Sequence, residues 1–179
     1  LQAKEDNLEA VKKLYTKYYK VVAAFFFRMG CSLNSTEDCT QEVFCRLWKA
    51  RKRYKPKAKF TTFLFQIAKN YWLNQVAKKK RRPATYNFYQ SEKQVPYFEK
   101  FVDDGKLPQE IILDKELQEK IQEALNKLGE KHRFVFVLSE FENFKYKEIA
   151  KILSIPIGTV KSRMATAEKK LRKFLKNYF

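Results

Sequence analysis

The stretch Tyr146-Lys147-Glu148-Ile149-Ala150-Lys151-Ile152-Leu153-Ser154-Ile155-Pro156-Ile157-Gly158-Thr159-Val160-Lys161-Ser162-Arg163 decides the fold, because it reads as a helix, a tight turn and a second helix. Ile149, Ala150 and Leu153 give the first helix an apolar side. Ser154 and Pro156 then close it and open the next, since proline is tolerated in a helix's first turn and not in its interior. Val160, Met164, Ala167, Leu171 and Phe174 recur at steps of three and four, which turns one stripe of the second helix toward a core. Thr159, Lys161, Ser162, Arg163 and Thr166 fall off that stripe. Hydroxyls and cations at the start of such a helix are what phosphates and base edges in a DNA major groove require.

Immediately upstream, Leu117, Ile121, Leu125 and Leu128, then Phe134, Val137, Leu138 and Phe141, keep helical spacing. The run Phe134 to Leu138 has the length of a strand, but its flanks lack turn chemistry and the helical match is better. Four short helices are therefore expected over 114–179. Between 84 and 113 periodicity fades, Pro96, Gly105 and Pro108 appear, and the positive charge weakens, as in an extended linker. Over 1–83 three helices are legible. Leu8, Val11, Tyr15, Tyr18, Val22 and Phe25 outline one from about Asn7 to Met29, interrupted by Gly30. Ser35-Thr36-Glu37-Asp38 reads as the cap of a second, which runs to about Lys52 and buries Cys39, Val43, Phe44, Leu47 and Trp48. After a basic loop broken by Pro56, the residues Phe63, Leu64, Ile67, Ala68 and Tyr71 outline a third, ended by Pro83. The fold class is all-α: a bundle of three to four helices, a linker and a helix-turn-helix domain.

A net charge of +18 exceeds what solubility needs and attracts polyanions, nucleic acid first and an anionic membrane surface second. No apolar run is long enough to span a bilayer, and the N-terminus is amphipathic rather than signal-like, so a soluble intracellular protein is expected without membrane insertion. Cys31, Cys39 and Cys45 are odd in number, with only the distant His132 as a possible nitrogen ligand. They read as small buried residues in a reducing cytosol, not as a metal site, and no cofactor is implied. Four glycines exclude a glycine-rich phosphate loop, and no nucleophile adjoins a histidine, so no catalytic residues are assigned.

Two further clusters carry chemistry. Lys59, Phe60, Thr61, Thr62, Gln66, Lys69, Asn70 and Asn74 combine cations, aromatics, hydroxyls and amides, the mixture that holds single-stranded DNA. Most of the aromatics there, Trp72 included, are expected in the core, whereas Asn70 and Asn74 lie one turn apart on one face. Asp38, Gln41 and Glu42 form an acidic, polar patch in an otherwise cationic chain. Repulsion from DNA makes a protein with a basic surface the better partner for it.

These features, in this order, resemble the extracytoplasmic-function sigma factors, the small two-domain branch of the bacterial sigma-70 family. Glu37 through Trp48 is similar to that family's core-polymerase-binding helix, Phe63 through Asn70 to its promoter-melting helix, and Ile149 through Arg163 to its C-terminal reading unit. The resemblance implies a non-catalytic initiation subunit that binds the beta and beta-prime subunits of core RNA polymerase and promoter DNA, and that an anti-sigma factor or other recruiting protein can govern. Asp38, Gln41 and Glu42 would then touch the polymerase clamp, and the Lys59 to Asn74 set would hold the minus-ten element. Lys78, Lys79, Lys80, Arg81 and Arg82 would lie along phosphates, and Thr159, Lys161, Ser162, Arg163 and Thr166 would read the minus-thirty-five element. A stand-alone helix-turn-helix repressor or activator is the alternative, and a nucleic-acid-processing enzyme a third.

Overall fold

A computed structural model of the chain describes residues 8–54, 59–81 and 108–176. Helix α1 (Leu8–Arg28) and α2 (Leu33–Ala50) are joined by a turn in which Gly30 takes φ 97°, a left-handed conformation that glycine adopts without a Cβ clash. The cap of α2 is Ser32, whose Oγ accepts from the Ser35 amide at 3.4 Å, rather than the expected Ser35-Thr36 pair. Thr36 is instead buried, and Glu37 and Asp38 lie beyond the first turn. A 3-10 turn (Arg51–Arg53) ends α2, and the Arg51 guanidinium stacks on the half-buried Trp48 ring at 3.7 Å. Helix α3 (Phe60–Arg81) then completes the first bundle with Leu64, Phe65, Ala68, Tyr71 and Trp72 turned inward.

The second half is built of α4 (Pro108–Lys127), α5 (Glu130–Phe136), α6 (Tyr146–Leu153) and α7 (Ile157–Leu175). α4 begins inside the stretch expected as linker, because Pro108 followed by Gln109 and Glu110 is itself a helix start; residues 84–107 lie outside the described residues. Leu117 is 39% exposed, so the core begins at the next turn with half-buried Ile121 and buried Leu125. α5 continues through a π turn (Val137–Phe141), which keeps the expected single helical run and rules out the strand reading. In α6 the deepest residues are Ile149 and Ile152, with Ala150 and Leu153 only half-buried. Ser154 ends α6 in the left-handed conformation, and Pro156 stands as the N-cap of α7 rather than within its first turn.

One apolar core runs through both halves. The Phe25 ring on α1 packs edge-on against Phe65 of α3 at 5.2 Å and meets Phe134 of α5 at 6.1 Å, while Phe65 meets Phe144 at 5.0 Å. Each fully buried ring of this kind contributes about 1.5–3 kcal/mol relative to exposure. Polar links give the contact direction. The end of α1 leaves carbonyls without intrahelical donors, and the second half supplies them: Arg133 Nη1 donates to Met29 O at 2.6 Å and Gln122 Nε2 to Arg28 O at 3.4 Å. Arg133 also donates through Nη2 to the carbonyls of Asn126 and Leu128, so one guanidinium closes α4 and α1 together. The indole of Trp72 donates to Glu130 Oε1 at 2.7 Å.

Arg28 and Glu142 form a further link at 3.2 Å, with side chains 13% and 4% exposed, and the guanidinium lies over Phe141. Burial dominates here. It raises the Glu142 carboxyl to about 7 against the opposing pull of Arg28, and it draws the Arg28 guanidinium below its ordinary value. The folded chain thus holds the Glu142 proton more tightly than the unfolded one, so this group's stabilisation is full below about pH 4.5 and is lost as pH rises through about 7. Glu142→Gln should therefore come closest to wild type in stability at acid pH. At about pH 8 it should exceed wild type by on the order of 2 kcal/mol, read from urea midpoints across the pH range.

Candidate nucleic-acid and polymerase interface

α2 turns Cys39, Thr40, Val43, Phe44 and Leu47 into the core. Thr40 Oγ1 donates to Thr36 O at 2.7 Å, so its hydroxyl is engaged within the helix. The opposite side carries Asp38 and Gln41, both exposed, and Glu42, half-buried and paired with Arg46 at 2.8 Å. The acidic patch therefore faces outward. Cys31 and Cys39 are buried with their sulfurs 4.0 Å apart, and burial pushes the Cys31 thiol well up. Cys45 is exposed on α2.

Four-residue steps set Thr62, Gln66, Asn70 and Asn74 along one line of α3. Asn70 and Asn74 are exposed, and Lys69 beside them is half-buried, which draws its ammonium below its ordinary value. Thr61 is half-buried. Thr62, expected among the DNA-facing residues, is instead 3% exposed, because it falls one turn before Phe65 on the inward side. Phe60 packs half-buried between Tyr18 at 5.3 Å and Tyr54 at 6.0 Å, so in this arrangement it forms a wall and is not a free stacking ring. Trp72 is buried, as expected of core. Gln66 donates through Nε2 to Lys151 O at 3.0 Å, and Lys59 pairs with Glu148 at 2.9 Å. Sequence reasoning missed both contacts. Glu148 and Lys151 sit on the polar side of an amphipathic helix, where nothing in the spacing separates a partner residue from a solvated one.

Lys78 and Arg81 are exposed near the end of α3, and Lys79 and Lys80 share that helix. Arg82 and the loop residues 55–58 lie outside the described residues. On α7, Val160, Met164, Ala167 and Leu171 are buried, while Lys161 and Ser162 are exposed and Thr159, Arg163 and Thr166 half-buried. Ser162 Oγ donates to Thr159 O at 3.2 Å and Thr166 Oγ1 to Ser162 O at 2.9 Å, so both hydroxyls rest on their own helix and keep lone pairs outward. Gly158 leaves open space where a Cβ would stand. Partial burial, then the charges of Lys170, Arg163 and Lys131, hold the His132 imidazole below its ordinary value.

The Sigma-70 region 2 family model matches residues 14–82, and the Sigma-70, region 4 model matches residues 118–171. The chain is 30% identical over 176 residues to the ECF RNA polymerase sigma factor SigW of Bacillus subtilis, covering 98% of this chain and 94% of that protein. This chain belongs to the extracytoplasmic-function sigma factors of the sigma-70 family. It is thus a transcription-initiation subunit that works with RNA polymerase at promoters. The ECF RNA polymerase sigma-E factor of Escherichia coli is 28% identical over 171 residues, covering 93% of this chain and 86% of that protein. Among solved structures, the sigma factor RpoE in complex with the anti-sigma factor NepR from Bartonella quintana shares the fold with a TM-score of 0.74 at 23% identity, covering 92% of this chain and 96% of that one. Because the similarity runs through both halves, the stand-alone regulator is not favoured. Among the described residues no helix is long and apolar enough to cross a membrane.

A cation that meets only phosphates and an amide that meets base edges predict different behaviour. Replacing Lys78, Lys79 and Arg81 by glutamine should weaken binding of the polymerase complex to all promoters alike and lower the slope of log affinity against log salt by about 0.7–0.9 for each phosphate that is no longer neutralised. Asn70→Ala with Asn74→Ala should leave that slope unchanged and alter sequence preference in the minus-ten element. Competition titrations at several salt concentrations read both.

Proposed function

We propose that the three surfaces divide the work of initiation between the two halves. The first half, 1–83, docks on the polymerase clamp through Asp38, Gln41 and Glu42. It then holds unpaired minus-ten bases with Lys59, Gln66, Lys69, Asn70 and Asn74, with Thr61, Phe60 and Thr62 as the wall behind them. Lys78 to Arg82 lie along upstream phosphates. The second half, from 114 or, with the observed start of α4, from 108, reads the minus-thirty-five duplex with Thr159, Lys161, Ser162, Arg163 and Thr166 and grips the polymerase flap. The residues between run through the polymerase as a linker.

The observation that carries this reading is the outward acidic face of α2 in a chain of net charge +18. A surface that only had to bind DNA would gain from losing Asp38 and Glu42, since like charge opposes the phosphates. The exposure of Asp38 and Gln41 and the partial exposure of Glu42, with the apolar side of the same helix fully packed, support a basic protein partner. Nothing in the constellation moves a proton or activates a nucleophile, so the chain supplies recognition and strand capture while the polymerase supplies catalysis. Its place of action is then the cytoplasm. Because the Bartonella relative was crystallised with an anti-sigma factor, a restraining protein of that kind is the partner we expect in addition to polymerase.

Reversing charge with Asp38→Lys and Glu42→Lys tests the division. The double variant should lose core-polymerase affinity by about tenfold or more, and promoter-dependent transcripts with it. Its binding to duplex minus-thirty-five DNA should equal wild type. Full transcription from the variant in a reconstituted reaction would remove α2 from the polymerase contact.

A further inference from the structure

Two sulfurs stand together in the core beneath the outward face of α2. Cys31, in the turn after α1, and Cys39, in the second turn of α2, are both buried with their sulfurs 4.0 Å apart. The backbone fixes the first of them: Cys31 N donates to Phe26 O at 3.1 Å, and Ser32, the next residue, caps α2. Between the two in the chain is Thr36, also buried, whose Oγ1 has no hydrogen-bond partner of ordinary geometry. Its neighbour one turn on behaves otherwise, since Thr40 Oγ1 donates to Thr36 O at 2.7 Å. The stray hydroxyl faces the sulfur: burial, then Cys39, push the Cys31 thiol up, and the Thr36 hydroxyl pulls it the other way. Tyr71 from α3 adjoins the second sulfur, because after burial it is Cys39 that pushes the phenol up. A dry core leaves no polar atom unpaired without cost. A hydroxyl with nothing to bond to, aimed at a pair of sulfurs, indicates something that the pair would hold.

Geometry and ligand count separate the candidates. A disulfide needs its sulfurs about 2.0 Å apart, so the pair would have to close by about 2 Å inside a close-packed core. A metal ion held between two thiolates by bonds of about 2.3 Å spans about 4.6 Å when linear, an opening of only about 0.6 Å. Zinc and iron–sulfur clusters take four ligands, and among the described residues no group of three or more cysteines, histidines or carboxylates could hold a metal ion. A soft monovalent ion with a filled d shell is satisfied by two sulfurs, and copper(I) is the one that thiolates select. We propose that Cys31 and Cys39 form a buried two-coordinate site for copper(I). Each thiol gives up its proton, two sulfur–copper bonds form, no electron is transferred, and one negative charge remains on the site. That charge lies where Cys31 adjoins the N-terminus of α2, whose dipole favours an anion. The Thr36 hydroxyl then donates to the Cys31 sulfur and the Tyr71 hydroxyl to that of Cys39, as supporting partners do around metal ligands. The number of cysteines and the distance of His132 in the sequence argue against zinc, and neither bears on an ion that takes two ligands.

Anaerobic titration with copper(I) alone, against a chromophoric copper(I) chelator, tests the site in the full chain carrying Cys45→Ser, which removes the exposed thiol. A single equivalent of copper(I) should be withheld from the chelator, with a thiolate-to-copper charge-transfer band in the ultraviolet. X-ray absorption at the copper edge should show two sulfur neighbours at one distance. Cys31→Ser or Cys39→Ser in the same background should each lower the affinity about a hundredfold or more, and Thr36→Val about tenfold, with folding checked by circular dichroism. Failure of the Cys45→Ser chain to withhold copper(I) overturns the proposal, as does zinc(II) held as tightly as copper(I). Equal retention by the chain that also carries Cys31→Ser and Cys39→Ser means an adventitious ion only, and overturns it too. Oxygen or nitrogen neighbours in the absorption spectrum have the same force, and that measurement needs no substitution in the core.

Discussion

Phe25 is where the two halves of this molecule become one. Its ring touches Phe65 from α3 and Phe134 from α5, so the core of the first bundle and the core of the helix-turn-helix half share a buried residue. The other inter-half features depend on that junction. The Arg28 and Glu142 pair is buried where the two halves meet, with the Phe141 ring against the guanidinium, and the carbonyls at the end of α1 find Arg133 and Gln122 because the second half is held against them. A guanidinium that closes two helix ends is useful only if both ends stay in place, and apolar burial is the term large enough to keep them there.

That junction also sorts charge. The second half packs on the side of the bundle formed by α1 and α3, so α2 keeps its outer face. The acidic residues Asp38 and Glu42 are thereby set apart from the cations of α3 and α7. A chain this positive would draw phosphate to any accessible surface. Keeping one negative face on a helix whose other side is fully packed leaves the surface divided into regions of opposite sign.

Much of this was legible in spacing alone. The seven α-helices of the described residues follow from three- and four-residue periodicity, and the outward acidic face of α2 from Asp38, Gln41 and Glu42 lying away from Val43 and Leu47. Boundaries were less so. Ser32, not Ser35, caps α2, because the left-handed turn at Gly30 starts the helix sooner than the acidic residues imply. Thr62 and Phe60 were expected at the DNA surface from composition, but residue type does not say which side of α3 meets α1 and which meets α6. The contacts of Glu148, Lys151 and Glu142 were invisible for a deeper reason. They join residues far apart in sequence, and a polar residue has the same periodicity whether it meets water or another helix.

The composition of the junction bears on how it can open. Hydrophobic contact is non-directional and scales with area, so a face of phenylalanine rings can exchange one apolar partner for another at little net cost. Hydrogen bonds and ion pairs lack that tolerance, because a buried polar group that loses its partner must find another or water. At this junction such polar links lie on both sides: Arg133 and Gln122 donate to carbonyls at the end of α1, while on α3 the Trp72 indole donates to Glu130 and Gln66 to Lys151 O, and Lys59 beside it pairs with Glu148. The two halves are therefore tied at both α1 and α3, and neither side parts without giving up polar partners as well as apolar area.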